Sequence, residues 1–173
     1  RSPMLQAIET TYRGFRFRSR IEARWAVFFD TLGVPFTYEP EGYMLPGVGA
    51  YLPDFWLASL GCWIEIKGTF PNAREIEKAC ALAAADEHPV LIFHGQLDLR
   101  MLGGFAHPNG QFYAHAYMWA QCDVCKRIDI VDSEAYRKIH CPACATWRLF
   151  RPSSPTLRSA YEAARAARFE FSR

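Results

Sequence analysis

Apolar and polar positions divide this chain into helical and extended stretches. Ile21, Trp25, Phe28, Phe29 and Leu32 recur at the spacing of one buried helical stripe. Ser19 and Glu22 fit a capping box at its start, and Gly33 fits a stop at its end. Residues 34–39 read as a short strand. Residues 40–50 hold three glycines and two prolines, which predicts a hairpin loop or an irregular connection. Two apolar runs rich in strand formers follow at 52–57 and 62–67, joined by a linker short enough for an antiparallel hairpin. Pro71 and Asn72 open a second helix to about residue 86, with Ile76, Cys80 and Ala83 or Ala84 inward. Residues 90–93 read as a buried strand. Beyond Gly95 the signals weaken, although 111–118 alternates enough for a further strand, and 156–169 reads as a helix rich in alanine and arginine. The order is helix, three strands, helix, strand. It predicts an α/β fold with a central mixed sheet flanked by helices, an α-β-β-β-α-β core, followed by a small appendage and a C-terminal helix.

The two apolar runs carry the candidate chemistry. The first contains Pro53-Asp54; ten residues intervene before Glu65-Ile66-Lys67. Side chains alternate along a strand, so Glu65 and Lys67 share one face and Ile64 and Ile66 the other. If the first run is a strand, Leu52, Asp54 and Trp56 share a face as well. Adjacent strands then bring Asp54, Glu65 and Lys67 together. Two carboxylates hold a hard divalent cation, and a lysine beside them orients or activates water and balances phosphate charge. The plain alternative is a turn at Asp54 and a solvated edge strand at Glu65 and Lys67. The end of an otherwise buried strand, next to Gly68, favours the functional reading, because sites of mixed sheets lie there.

At 173 residues, half of them apolar and 15% aromatic, the chain supports one domain and a small appendage. No apolar run approaches the roughly 20 residues of a membrane span, and no signal peptide opens it, which predicts a cytoplasmic protein without a membrane partner. Met4 is the first methionine, so Arg1-Ser2-Pro3 reads as extraneous to the native chain. The net charge of +2 is too small to prove a nucleic-acid partner. Its distribution says more: Arg13, Arg16, Arg18, Arg20 and Arg24 surround Glu22, and Arg148, Arg151, Arg158, Arg165 and Arg168 recur near the end. Guanidinium groups bind phosphate oxygens bidentately, whereas the bland reading is ordinary surface charge.

Cys122-Asp-Val-Cys125 and Cys141-Pro-Ala-Cys144 are two Cys-x-x-Cys pairs with fifteen residues between them. This spacing predicts a closed, structural, tetrahedral zinc site of the ribbon type. His140 is surplus to a full shell, and Cys62 and Cys80 sit in core patterns. Lys126, Arg127, Arg137, Lys138 and Arg148 are candidates for phosphate contacts. Trp119 and Trp147 either stack on bases or fill the ribbon's core, and packing is the stronger reading for so small a module. A homodimer through the ribbon is compatible with the sequence.

The element order, with Pro53-Asp54 and Glu65-x-Lys67, resembles the PD-(D/E)xK nuclease superfamily over roughly residues 12–95. Residues 12–68 are also similar to small phage-type nuclease-like proteins. The resemblance implies Mg²⁺ or Mn²⁺, phosphodiester hydrolysis, and DNA as substrate. It also implies an acidic residue from the first core helix, which Glu22 matches. On a helical wheel Glu22 lies about 60° from Trp25, beside the apolar stripe. It can serve as a metal ligand or only as a helix cap. The glutamine and tyrosine of the recombination-exonuclease branch are not found between Asn72 and Asp86.

The sequence thus predicts a divalent-metal-dependent DNA endonuclease from a bacterial cell or a phage-infected host. Asp54 and Glu65 hold the cation, with the Ile66 carbonyl as a further ligand and Glu22 completing the site. Lys67 positions the water. Arg16, Arg18, Arg20, Lys126, Arg127 and Arg148 contact nucleic acid. The expected boundaries are a core over 4–118, a zinc ribbon over 119–151 and a basic helix over 152–173. A catalytically silent binding module on the same fold is the alternative.

Overall fold

The computed structural model describes residues 9–98, 101–134 and 137–169. Arg1-Ser2-Pro3 and Met4 lie outside the described residues. Helix α1 (Arg20–Leu32) follows a small hairpin of strands β1 (Thr10–Tyr12) and β2 (Phe15–Phe17). The Ser19 hydroxyl caps it by accepting the Glu22 N–H, and Gly33 stops it at φ 68°, its N–H returning to Asp30 O. Trp25, Phe28 and Phe29 are buried as the stripe predicts, whereas Ile21 and Leu32 flank it half-buried. Full burial of each such ring contributes on the order of 2–3 kcal/mol, so this helix is anchored by packing rather than by propensity.

The central sheet has eight strands. Along it run β11 (Ile128–Asp132), β10 (Phe112–Cys122), β9 (Met101–Ala106), β8 (Val90–His94), β7 (Cys62–Lys67), β6 (Phe55–Leu57) and β3 (Thr37–Tyr38), with β14 (Phe150–Arg151) also paired to β10. Among the described residues only β7 and β8 pair in parallel, joined across α2 (Ala73–Asp86); the other pairs of this sheet are antiparallel. The strand expected over 34–39 contracts to β3, and Asp54 immediately precedes β6 instead of lying within it. Residues expected to be a loop or hairpin form strands β4 (Tyr43–Leu45) and β5 (Gly49–Tyr51), which pair only with each other.

Helices cover both faces. Trp63, Val90 and Ile92 pack with Ala79, Leu82 and Ala83 of α2. Ala83 is inward as expected, but Ala79 and Leu82 take the places expected of Ile76 and Cys80, which are half-buried, and Ala84 is exposed. Ile64, Ile66, Phe93 and Trp119 pack against α1 on the other face, together with Leu157, Ala160, Tyr161 and Ala164 of α3 (Pro155–Ala166). The C-terminal helix is thus a core element with an exposed basic side. Of its neighbouring arginines, Arg158, Arg165 and Arg168 are exposed.

Strand β9 is not legible in the sequence, because Gly103-Gly104 reads as a break. Its glycines have a packing reason. A Cβ at Gly104 would lie 1.8 Å from the Phe112 ring, and one at Gly103 2.1 Å from the Ile92 carbonyl oxygen. Strand β10 crosses the boundary expected between residues 118 and 119 without interruption, so the first cysteine knuckle grows directly from the central sheet. Strands β12 (Ile139–Cys141) and β13 (Thr146–Arg148) form the other two-stranded knuckle.

Candidate active site

Alternation along β7 sets the geometry. Trp63 belongs to the α2 layer and Ile64 and Ile66 to the α1 layer, so Glu65 and Lys67 face the α2 side at the open end of the strand. There they line a cavity of about 310 Å³ with Arg18, Ala50, Tyr51, Leu52, Glu75 and Lys78. Asp54 lies one residue beyond the last ladder pair of β6, Phe55 with Ile64, and its Oδ2 accepts the Ile66 N–H at 2.7 Å. The backbone N–H of Glu39 in turn donates to the Asp54 carbonyl oxygen at 2.8 Å. Asp54 and Glu65 are both 3% exposed. Asp54, Glu65 and Lys67 are therefore brought together.

Cations from the chain meet these carboxylates. Lys67 Nζ is 2.6 Å from Glu65 Oε1 and 3.5 Å from Glu75 Oε1. Arg18 Nη2 donates to Asp54 Oδ1 at 2.8 Å, and its Nε contacts Glu39. Among the described residues, no donor stands at hydrogen-bond distance from the buried Glu65 Oε2, while the Tyr51 hydroxyl interacts with the Glu65 carboxylate. Burial, then the charges of Glu65 and Glu22, hold the Asp54 carboxyl well above the usual range, outweighing the Ile66 N–H and Arg18. Burial works against the Lys67 charge, but Glu65, Asp54 and Glu75 outweigh it and raise the ammonium above its ordinary value. The Tyr51 phenol is pushed well up by burial and by the charges of Glu65 and Asp54, so it stays a neutral O–H beside them.

Glu22 is buried at the N-terminus of α1. Its Oε1 accepts from the Ser19 hydroxyl at 2.7 Å and its Oε2 from the Tyr38 hydroxyl at 2.6 Å. The expected capping box is thus altered: the Glu22 carboxylate bonds the serine hydroxyl, and Tyr38 supplies the second donor. Sequence reasoning does not single out Tyr38, nor Tyr51, Glu39, Glu75 and Lys78. Glu75 has a readable signal, since Asn72 and Glu75 form a full capping box and so orient Glu75 at the start of α2. The Ile66 carbonyl, expected as a ligand, belongs to the residue whose N–H fixes Asp54.

The expected nucleic-acid contacts are not gathered on one surface. Arg18 lies in the cavity wall. Arg16 is exposed on β2 and paired with Glu9 through its Nε at 2.9 Å. Arg20 opens α1, half-buried. Lys126 and Arg127 line a different cavity with Ser59, Leu60 and the end of α1, beside the turn before β7. That turn is the opposite end of β7 from Lys67, about 17 Å away at the usual strand rise. Arg148 is half-buried on β13.

The four cysteines do converge. All four are free of disulfides, and their sulfur atoms lie within 4.8 Å of one another. Cys122 and Cys144 Sγ are 3.8 Å apart, and Cys125 and Cys141 Sγ 3.6 Å. A tetrahedron with Zn–S bonds of about 2.3 Å has edges of about 3.8 Å, whereas a disulfide needs about 2.05 Å. Burial raises the Cys122 thiol, but N–H groups of Cys125 and Val124 outweigh it and bring the thiol down to about 7. Donor set and spacing are those of a structural zinc site. Trp119 is fully buried, as expected of a packing residue, but Trp147 is 58% exposed, with Lys138 Nζ 5.7 Å from its ring centre and His140 edge-on. The packing reading of Trp147 is thereby corrected: β12 and β13 are too short to enclose it.

The chain matches no family model, and neither a curated protein nor a solved structure matches it. Fold and site define a mixed α/β protein with a four-cysteine cluster suited to zinc. Among the described residues, no helix is long and apolar enough to cross a membrane.

Proposed function

We propose that this protein is a divalent-metal-dependent nuclease of the PD-(D/E)xK type that hydrolyses phosphodiester bonds in DNA. One observation carries the reading: two buried carboxylates, Asp54 and Glu65, stand with Lys67 at the end of a core strand, and one buried oxygen of Glu65, at a cavity, is held by no cation among the described residues. Burying carboxylates side by side is costly, and Lys67 and Arg18 offset it only in part, since the Asp54 carboxyl stays well above the usual range. Asp54 and Glu65 would hold Mg²⁺ or Mn²⁺, which when bound would supply Lewis-acid stabilisation of phosphate charge and an activated water. Oxygen ligands and a compact, partly open site suit such hard cations. Lys67, kept cationic by three carboxylates, orients water and offsets phosphate charge rather than removing a proton. Tyr51 offers a neutral O–H to the same cavity. Arg18 and Lys78 add positive charge to its wall, which favours an anionic substrate. Glu22 supports the site through Ser19 and Tyr38 and adds its charge to that felt by Asp54. Zinc on the four cysteines would have a folding role, since four thiolates leave no open position.

The test is incubation with linear, nicked, branched and single-stranded DNA in Mg²⁺, Mn²⁺ or chelator. Cleavage that requires the cation and disappears in Glu65→Gln is expected. Cation-independent DNA binding without any cleavage would favour the silent binding module instead.

A further inference from the structure

Resting on the reading of Asp54 and Glu65 as a cation site, we propose that Arg18 is a displaceable counter-ion. Its guanidinium holds Asp54 until a divalent cation takes the same oxygen, and it then turns to the phosphodiester. Binding of cation and of substrate is thereby coupled.

The two cations of the site hold their carboxylates differently. Glu65 gives Oε1 to Lys67, and no cation among the described residues holds its Oε2, so a metal there displaces neither guanidinium nor ammonium. Asp54 has both oxygens engaged, Oδ2 by the Ile66 N–H and Oδ1 by Arg18. The Ile66 amide is fixed in β7 and cannot turn away. Arg18 is the more exposed of the two cations, 53% against 26% for Lys67, and of its two carboxylate contacts, with Asp54 and Glu39, only the one through Nη2 has to be given up. Its backbone is meanwhile pinned, the Arg18 N–H donating to the Tyr38 hydroxyl at 3.1 Å. With its main chain held by Tyr38 and its Nε by Glu39, the half-exposed guanidinium has a pivot at the cavity wall. Guanidinium and metal compete for Asp54 Oδ1, and a released guanidinium lies beside Lys67 and Lys78, where a phosphate would find a bidentate partner. A purely structural arginine would instead support the carboxylates and so assist metal binding. The two roles predict opposite signs.

Mn²⁺ affinity of the full chain is measured calorimetrically for wild type, Arg18→Gln and Arg18→Lys, with melting temperatures in chelator and in Mn²⁺. Arg18→Gln should bind Mn²⁺ about tenfold more tightly, the size of one charge-assisted hydrogen bond no longer in competition. It should melt lower in chelator and gain more from Mn²⁺ than wild type. Arg18→Lys, which keeps the charge and the fold, should lie between. In a Lys67→Ala background, used to suppress turnover, Mn²⁺ should tighten DNA binding when Arg18 is present but not when Arg18→Gln is added. Equal or weaker Mn²⁺ binding by Arg18→Gln overturns the counter-ion role alone. A wild-type protein that binds no Mn²⁺ outside the cysteine cluster overturns this role together with the reading it rests on.

Discussion

Asp54 takes the place of a ladder acceptor for Ile66. Strand β6 ends its pairing with β7 at Phe55 and Ile64, and the next inward N–H, that of Ile66, donates 2.7 Å to Asp54 Oδ2. A buried N–H must find a partner, so the sheet itself aims this carboxylate. Asparagine retains an oxygen for that bond but loses the charge. Asp54→Asn should therefore fold and bind DNA nearly as wild type while losing cleavage by more than roughly a hundredfold, beyond the usual cost of a mere support residue. Glu65→Gln should behave alike. Single-turnover cleavage beside a melting curve checks both, and substantial activity in the two variants would remove the metal assignment.

The same carboxylate should give the protein an inverted pH response in chelator. Its pKa is raised in the folded state by burial and by Glu65 and Glu22. A raised folded value means the native state binds the proton more tightly. The stabilisation is then full below the ordinary aspartate value of about 3.9 and is lost as pH rises through the folded value. Without divalent cation, wild type should lose stability relative to Asp54→Asn as pH is raised from about 4 toward neutrality. Comparing the two proteins cancels any loss of zinc in acid. Melting temperatures that run parallel at every pH would show that Asp54 titrates normally.

How much of this is legible in the sequence depends on how local each signal is. Helix α1 can be read because Trp25, Phe28 and Phe29 satisfy one period, and Ser19 and Gly33 mark its ends in adjacent residues. Asp54, Glu65 and Lys67 can be placed together because strand alternation and a short hairpin suffice. Arg18 is legible only as a positive charge. Its pairing with Asp54 joins residues 36 apart and depends on where β2 delivers the chain. Strand β9 is hidden because a glycine pair looks like a turn until Phe112 is seen to cover Gly104. The inward face of α2 is read correctly only at Ala83, because an alanine-rich helix has a weak apolar stripe, and contact with Trp63 and Ile92 selects Ala79 and Leu82 over Ile76 and Cys80.

Glu22 accepts two hydroxyl groups, from Ser19 and from Tyr38. Glu22→Gln keeps the shape but weakens both charge-assisted bonds. A loss of about 1–3 kcal/mol in stability is expected, together with weaker Mn²⁺ binding, since a negative charge close enough to be felt at Asp54 also attracts the cation. Tyr38→Phe should lower stability similarly, because the Arg18 N–H loses its acceptor as well. Unchanged melting in Glu22→Gln with reduced metal affinity would instead mark Glu22 as a ligand alone.

The two tryptophans near the cysteine cluster should separate cleanly. Trp119 is fully buried among Trp25, Phe28, Phe29 and Phe93. Trp119→Ala should cost about 3–5 kcal/mol by chemical denaturation. Trp147 is exposed on β13, with Lys138 near its ring. Trp147→Ala should stay within about 0.5 kcal/mol of wild type. If the knuckle touches DNA, the same change should weaken binding to single strands by about 1–3 kcal/mol, the usual worth of a base stacked on an aromatic ring. Unaltered DNA affinity would leave Trp147 without a role in binding.

Zinc removal should be felt in the sheet as well as in the knuckles. One zinc per chain is expected by elemental analysis of protein prepared without added metal. Cys125→Ser should release it, because the remaining three sulfurs no longer close the tetrahedron. The knuckle of β12 and β13 has little apolar cover of its own and should unfold. Cys122 and Cys141, however, are fully buried with Met118, Ala120, Val131 and Phe150. The disturbance should therefore extend into β11 and β14, both paired to β10. Strands β6, β7 and β8 and helix α1 belong to the separate cores around Trp25 and Trp63 and should persist. Hydrogen exchange in the zinc-free variant should show lost protection at 128–132 and 139–151 with retention at 62–67 and 90–94. Cleavage should fall but not vanish, since Glu65 lies on a retained strand and Asp54 immediately precedes another. Uniform loss of protection across the chain would mean that the metal holds the whole sheet, and a protein isolated with the four cysteines in disulfides would exclude the zinc site altogether.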